Sequence, residues 1–281
     1  MTPGPEIRLL ALDVDGTLAA RGDEVTPATR AALRRAREAG VVVAIATGRR
    51  YRTTLRVVEA LGLPVDVVCL GGALVKAGDG TTVHREQFDE TDFAAIHGLA
   101  RRRGQAVVCH RDSSEGDGPD FVIDGDVEWN TETRVYYQQN DGWGARRDGF
   151  GRESCPDALA IGTFGAESEM RDLREEVESA HPEVFTPSLV PSHKNRAWYL
   201  ELTPRDVSKW TGLRALAGRL GLSTDAICAV GDQMNDLPML REAGMAVAMG
   251  NAVDDVKKTA HWVTGRCDRD GIVAVVERIL R

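Results

Sequence analysis

Asp13 and Asp15 stand one residue apart in "LLALDVDGTL", Leu9 to Leu18, between an apolar run and Gly16-Thr17. In an extended chain, residues i and i+2 project to the same face, so the two carboxylates converge. Like charges that close repel unless one is protonated or a cation lies between them. Other groups suited to the same chemistry follow later apolar runs. Thr47-Gly48 comes after "VVVAIA", Lys209 lies in "TPRDVSKWTGL", and "ICAVGDQMNDLPML" presents Asp232, Asn235 and Asp236 beyond Gly231. Several carboxylates and a backbone carbonyl suit a hard cation bound through oxygen, and Mg²⁺ is the natural choice, with waters and a phosphate completing its shell. Thr47, Lys209 and Asn235 offer a hydroxyl, an ammonium and an amide to phosphate oxygens. A carboxylate beside such a metal attacks phosphorus and forms an aspartyl-phosphate.

Each group also has a plain structural reading. Thr47 could cap a helix, Lys209 could be a solvated surface lysine, and Asp232 and Asp236 could be turn and cap residues. The DxDGT string resists such a reading, because four fixed positions recur by chance in roughly a few chains per thousand of this length. The plain readings also leave unexplained why all four groups follow predicted strands.

Those strands belong to a recognisable frame. The first 75 or so residues alternate apolar strand and helix. After the Leu9 strand, Thr26 is placed as an N-cap, Pro27 at the first helical position, and Gly40 at the C-terminal end. "VVVAIATG" is a second strand, Tyr51 to Leu61 a helix, and Val65 to Leu70 a third strand stopped by Gly71-Gly72. Wholly apolar strands separated by helices predict a parallel sheet covered on both faces. In such sheets ligands bind beyond the carboxyl ends of the strands. Thr47 and its following amides would then meet an anion near a helix start.

The pattern changes after about Gly80. A helix from Glu90 to Arg103 is expected, then short strands "QAVVCH" and "DFVID", a strand "ALAIGTFG", a helix Glu167 to Ala180 and a strand near "VFTPSLV". Two glycine-rich loops, "DSSEGDGPD" and "NDGWGARRDGFGR", interrupt this stretch, and strand–helix alternation resumes at Trp198. The expected architecture is therefore α/β: a Rossmann-like parallel sheet from residues 1–81 and 191–281, split by an inserted α+β domain at 82–190.

Composition narrows the function classes. The net charge of −8 argues against nucleic acid or an anionic membrane as partner. The longest clean apolar run, Val41 to Ala46, falls far short of the ~20 residues of a membrane span. Asp13 and Asp15 also break the only early apolar run, so no secretory signal is expected. Cys69, Cys109, Cys155, Cys228 and Cys267 are scattered without metal or redox spacing. They are expected to be buried reduced thiols, which points to the cytoplasm. The six histidines show neither HxH nor HExxH spacing, which disfavours a zinc site.

At this point the chain resembles the haloacid dehalogenase superfamily of phosphotransferases and, within it, the Cof-type sugar-phosphate phosphatases. "DVDGTL", "ATGR", "VSK" and "GDQMNDLPML" look like its four ordered motifs, and "AVAMGNA" and "DRDGI" resemble the subgroup's C-terminal pattern. The resemblance implies Asp13 as nucleophile and metal ligand. It implies Asp15 as general acid and then base, with its main-chain carbonyl on the metal. Asp232 would be the remaining protein ligand, with Asp236 beside the metal or orienting Lys209. Val14 N–H, Thr47, Gly48, Lys209 and Asn235 would hold the phosphate, and the insert would be a large α/β cap that selects the substrate, a small phosphorylated metabolite. Arg49 is a candidate substrate contact. Gly71 stands where the subgroup usually has Asn, Gln233 where a small residue is common, and Trp210 where glycine is common. Arg146, Arg147 and Arg152, beside Trp143 and Phe150, could contact an anionic substrate or only line a surface loop. His193 and Asn195 carry no assignment. A phosphomutase using the same aspartyl-phosphate, and a silent binding protein on the same fold, are the rival readings.

Overall fold

The structure, a computed structural model, describes residues 6–20, 22–113, 118–192 and 197–281. His193, Asn195 and part of the loop 112–120 lie outside the described residues. The chain divides into two compact units, Met1–Arg85 with Ser208–Arg281, and Glu86–Val207. Both boundaries differ from the expected 81/82 and 190/191.

The first unit is built on an eight-stranded sheet. Its spatial order is Trp262–Val263, Met245–Ala248, Ile227–Gly231, Leu9–Leu12, Val42–Ala46, Asp66–Cys69, Leu74–Lys76 and Thr82–Arg85. The first six strands run parallel and the last two close an antiparallel edge. The parallel strands are apolar because both faces are covered: Leu9, Leu10, Ala11 and Leu12 are all fully buried. The chain crosses from the central strand Leu9–Leu12 to Val42–Ala46 through the helix Pro27–Glu38. Thr26 caps that helix by accepting the Thr29 N–H, Pro27 opens it, and Gly40 follows its end at φ +87°. All three placements match expectation. Thr82–Arg85, expected in the insert, is instead the outer strand of this sheet. Its four half-buried residues, "TVHR", give no apolar run by which to recognise it.

The second unit is a six-stranded sheet in the order Phe185–Ser192, Ala197–Pro204, Ala160–Gly165, Val108–His110, Phe121–Asp124 and Gly144–Arg147. All its pairings are antiparallel except the last. Helices Glu90–Arg102 and Glu167–Ala180 bury Phe93, Ile96, Leu99, Met170, Leu173 and Val177 in one cluster with the sheet residues Ile161, Leu200 and Leu202. The helix Thr131–Gln139 contributes Tyr136 and Tyr137 to a second cluster with Phe121, Ile123 and Phe164. This is the α+β insert expected, with three corrections.

Ala197–Pro204, the "WYLEL" strand given to the parallel-sheet domain, pairs with Phe185–Ser192 and Ala160–Gly165 and so belongs here. Its apolar run followed by a helix looks like a βα unit, and only the long-range pairing assigns the sheet. The loop "NDGWGARRDGFGR" contains the strand Gly144–Arg147, in which Gly144 leaves room for the Phe121 ring. Finally, Cys109 and Cys155, separated by 46 residues in the sequence, form a disulfide. The expectation of five reduced thiols therefore fails for this pair. The cysteines no longer argue for a reducing compartment. Cys69 and Cys228 are buried and lie outside the disulfide, as does the half-buried Cys267. Among the described residues no helix is long and apolar enough to cross a membrane.

Candidate active site

The functional side chains of the first unit gather at the carboxyl ends of its central strands. Asp13 follows Leu9–Leu12 and is itself buried, with its N–H donated to the Val230 carbonyl of the neighbouring strand. Beyond it the chain curls sharply: Gly16 N–H reaches the Ala19 carbonyl, and the Thr17, Leu18 and Ala19 amides all return to Val14 O. Gly16 adopts φ +86°, and a Cβ there would lie 2.3 Å from Asp232 Oδ2. Glycine is required twice over, for the backbone conformation and for the approach of the carboxylate.

Lys209 opens the helix Lys209–Leu220, whose N-cap is Ser208. It is almost wholly buried, and its Nζ donates to Asp13 Oδ1 and to Asp236 Oδ1, each at 2.6 Å. The solvated-surface reading of this lysine is thereby excluded. Asp236 closes a turn after the strand Ile227–Gly231. Its Oδ2 accepts the N–H groups of Asp232 and Gln233, at 2.8 and 2.9 Å, so one carboxylate both caps the turn and holds the lysine.

Asp13, Asp232 and Asp236 form a three-carboxylate cluster in which one oxygen from each lies within 4.8 Å of the others. Burial raises the affinity of Asp13 for a proton. Lys209 opposes this, and Asp236 and Asp232 add to it. Burial and then the nearby Asp236 push Asp232 up to about 6. Burial by itself would lower the pKa of the Lys209 ammonium, but Asp13 and Asp236 raise it above its ordinary value. Three carboxylates around one ammonium leave net negative charge in a dry site. Their all-oxygen donor set fits a hard divalent cation such as Mg²⁺.

Two further groups, given no role by the sequence, hold Asp232 in place. Thr17 Oγ1 donates to Asp232 Oδ1 at 3.2 Å, and Asn251 Nδ2 donates to Gly16 O at 2.7 Å and to Asp232 Oδ2 at 3.4 Å. Asn251 is fixed in turn by accepting the Cys267 N–H at 2.9 Å. Both lie inside strings already noted, "DVDGTL" and "AVAMGNA". Their signal was a polar side chain just beyond an apolar strand. Gln233, one of the departures from the subgroup pattern, also donates to Asp232 Oδ2, at 3.4 Å.

The second strand delivers Thr47, which is buried, while Gly48 is exposed. Thr47 Oγ1 accepts the Arg49 N–H at 3.2 Å, and the helix itself starts at Tyr51. Val14 is buried at the curl and Asn235 is exposed on the turn before Asp236. Asp15 is not drawn into the carboxylate cluster. Its side chain is 64% exposed and grips Arg49 in a two-pronged pair, Nε to Oδ2 at 2.9 Å and Nη2 to Oδ1 at 2.6 Å. Arg49 thus spends its donors within the chain itself, which bears on the substrate contact expected of it.

The other departures have local explanations. Gly71 adopts φ +64° with open space where a side chain would stand, and Trp210 is buried in the core cluster of the unit. In the second unit Arg146 donates to Gly125 O, and Arg152 to the carbonyls of Phe88 and Cys155, so two of the three loop arginines brace backbone. Arg147 is exposed and reaches only its neighbour's carbonyl among the bonds described.

Comparison with known proteins supports the same reading. A profile of the haloacid dehalogenase-like hydrolases matches residues 10–276. The chain is 28% identical over 299 residues to the phosphatase YwpJ of Bacillus subtilis, covering 98% of this chain and all of that one. It is 25% identical to the 5-amino-6-(5-phospho-D-ribitylamino)uracil phosphatase YcsE of the same organism, covering 96% and 95% of the two chains. Its fold is similar to that of the phosphatase BT1666 from Bacteroides thetaiotaomicron, with a TM-score of 0.78, 24% identity and coverage of 97% and 95%.

Proposed function

The chain belongs to the haloacid dehalogenase-like hydrolases, and from that premise we propose that it is a Mg²⁺-dependent phosphatase. Its substrate is a small phosphorylated metabolite, a sugar phosphate in the first instance, and it works through an aspartyl-phosphate on Asp13. The observation that carries this reading is the placement of one buried ammonium, Lys209, between Asp13 and Asp236, with Asp232 completing the carboxylate cluster.

In this mechanism Asp13, the Asp15 main-chain carbonyl and Asp232 would hold the cation, and Asp236 orients Lys209. A cation held there would supply charge neutralisation for the phosphate oxygens. Asp13 Oδ attacks phosphorus while the bond to the leaving alcohol breaks, and Asp15 gives its proton to the departing oxygen. A water then attacks the aspartyl-phosphate. Asp15 takes a proton from that water, orthophosphate departs, and Asp13 is restored. Lys209 offsets the charge of Asp13 in the resting site and of the phosphate oxygens during transfer. Thr47 and the amides of Val14 and Gly48 are the remaining groups assigned to the phosphate, with Asn235 beside them.

The test is phosphate release from p-nitrophenyl phosphate and a panel of sugar phosphates, with Mg²⁺, with EDTA, and with Asp13→Asn. Release that needs Mg²⁺ and is lost in a folded Asp13→Asn protein is the expected result. Release that survives this substitution would overturn the mechanism.

A further inference from the structure

Asp23 is a second acidic partner on Arg49, and nothing in the catalytic scheme uses it. Arg49 Nη1 donates to Asp23 Oδ1 at 2.5 Å and Nη2 to the Gly22 carbonyl at 3.2 Å, while Nε and Nη2 grip Asp15. The guanidinium is thus a bridge between Asp15 and the chain at Gly22–Asp23.

The bridge is anchored at its base. The Arg49 amide donates to Thr47 Oγ1 and the Arg49 carbonyl accepts the Leu70 N–H at 3.0 Å, which ties its backbone to the ends of two strands. The side chain is mostly covered, 21% exposed, and Asp23 is one-third exposed. An isolated surface pair of this kind would contribute little. Here, however, the planar fork meets one carboxylate with two parallel bonds and a second with another, which fixes orientation as well as charge. The carboxylate it fixes is the one that must face the leaving oxygen.

We propose that Asp23 is a positioning residue for proton transfer: it anchors the Arg49 guanidinium, and Arg49 in turn aims the Asp15 carboxyl. This rests on the phosphatase reading above. Asp15 must loosen from Arg49 to reach a leaving group, and Asp23 then keeps the guanidinium neutralised and in place. Without Asp23, Arg49 follows Asp15 or collapses onto it, and protonation of the leaving oxygen becomes inefficient.

Leaving-group dependence tests the proposal, because p-nitrophenolate departs without a proton whereas phenolate, with a parent acid near the tyrosine value of about 10, needs one. The measurement is kcat/KM for p-nitrophenyl phosphate and phenyl phosphate, two esters of nearly one shape, in wild type, Asp23→Asn and Asp23→Ala with Mg²⁺. In Asp23→Ala the p-nitrophenyl to phenyl ratio should rise at least about tenfold, within the usual range of general acid catalysis. Asp23→Asn, which keeps an acceptor oxygen for Nη1–H, should fall between. Circular dichroism melting verifies that the variants fold. A ratio unmoved in Asp23→Ala, or equal loss on both esters, would overturn the role of Asp23 alone. So would a wild type that turns over only the nitrophenyl ester. A wild type inert toward both esters would instead overturn the phosphatase reading, and this proposal with it.

Discussion

Gly72 lies so close to Ser208 that a Cβ on it would stand 1.9 Å from the Ser208 carbonyl oxygen, and its φ is +117°. Ser208 is the N-cap residue immediately before Lys209. The packing of the loop after the third strand against this helix start therefore places the site's buried ammonium. Gly212, one turn on, would put a Cβ 2.5 Å from the Val68 side chain and 3.1 and 3.2 Å from the Gly72 O and Cα, so the helix packs on this loop with no room for a side chain. Replacing Gly72 with alanine must move the helix start or strain the loop. Gly72→Ala should lose about 3 kcal/mol of stability in urea titration. Its phosphatase activity should fall roughly 10²-fold, the usual result of displacing a charged group by about 1 Å.

The carboxylate cluster links metal, proton and stability. Asp232 titrates near 6 because it is buried beside Asp236, and Asp13 is raised by burial in the same direction. An acid whose folded pKa lies above its unfolded value binds protons more tightly when folded. Its contribution is complete at low pH and is lost as pH rises, for Asp232 from about 4 through about 6. Metal-free stability should therefore decline across that window, and added Mg²⁺ should recover it, because a cation replaces the protons. Melting curves at two Mg²⁺ concentrations and several pH values check this. Asp232→Asn should abolish most of the Mg²⁺ response, and a variant that keeps it would remove Asp232 from the metal site.

A separate titration belongs to the inserted unit. Glu201 lies half-buried on the strand Ala197–Pro204 opposite Ser188 and Gly162, and the partial loss of water around its carboxyl pushes it up to about 7. By the same sign, Glu201 favours the fold below about 4.5 and progressively less up to about 7. Glu201→Gln should remove this dependence and raise stability by about 2 kcal/mol near pH 8, with little change near pH 5. Urea titrations of the two proteins at both pH values give the comparison. Parallel curves would show that Glu201 ionises as freely in the fold as out of it.

The Cys109–Cys155 disulfide makes a stoichiometric prediction. Thiol titration in guanidinium without reductant should find three reactive groups, Cys69, Cys228 and Cys267, and prior reduction should release the other two. Because both joined cysteines are fully buried, reductant should act on the native protein far more slowly than on the unfolded chain. Cys155→Ala should cost the inserted unit about 2–4 kcal/mol, the common range for a native cross-link. Five thiols in the unreduced protein would eliminate the bond.

Much of this organisation was legible from local rules. Strand, glycine and helix signals placed Asp13, Thr47 and Asp232 at the ends of strands and Lys209 at a helix start. The period of two in an extended chain fails for Asp15, because the backbone curls directly after Asp13 and turns that carboxylate outward to Arg49. The Thr26–Pro27 start of the first helix followed from capping chemistry alone. Such rules act between near neighbours, and so they survive without knowledge of the fold.

What the amino-acid sequence determined by itself was the set of chemical groups, the parallel sheet that carries them and the presence of an insert. Tertiary structure decided which groups touch. Thr17 meets Asp232 across 215 positions, Asn251 meets Gly16 across 235, and Arg49 turns to Asp15 and Asp23. It also decided that Ala197–Pro204 joins the insert's sheet and that Cys109 finds Cys155. Contacts of that kind depend on where a folded backbone brings distant segments. A hydrogen bond, an ion pair or a disulfide forms only within a few ångströms, and no local pattern records that distance.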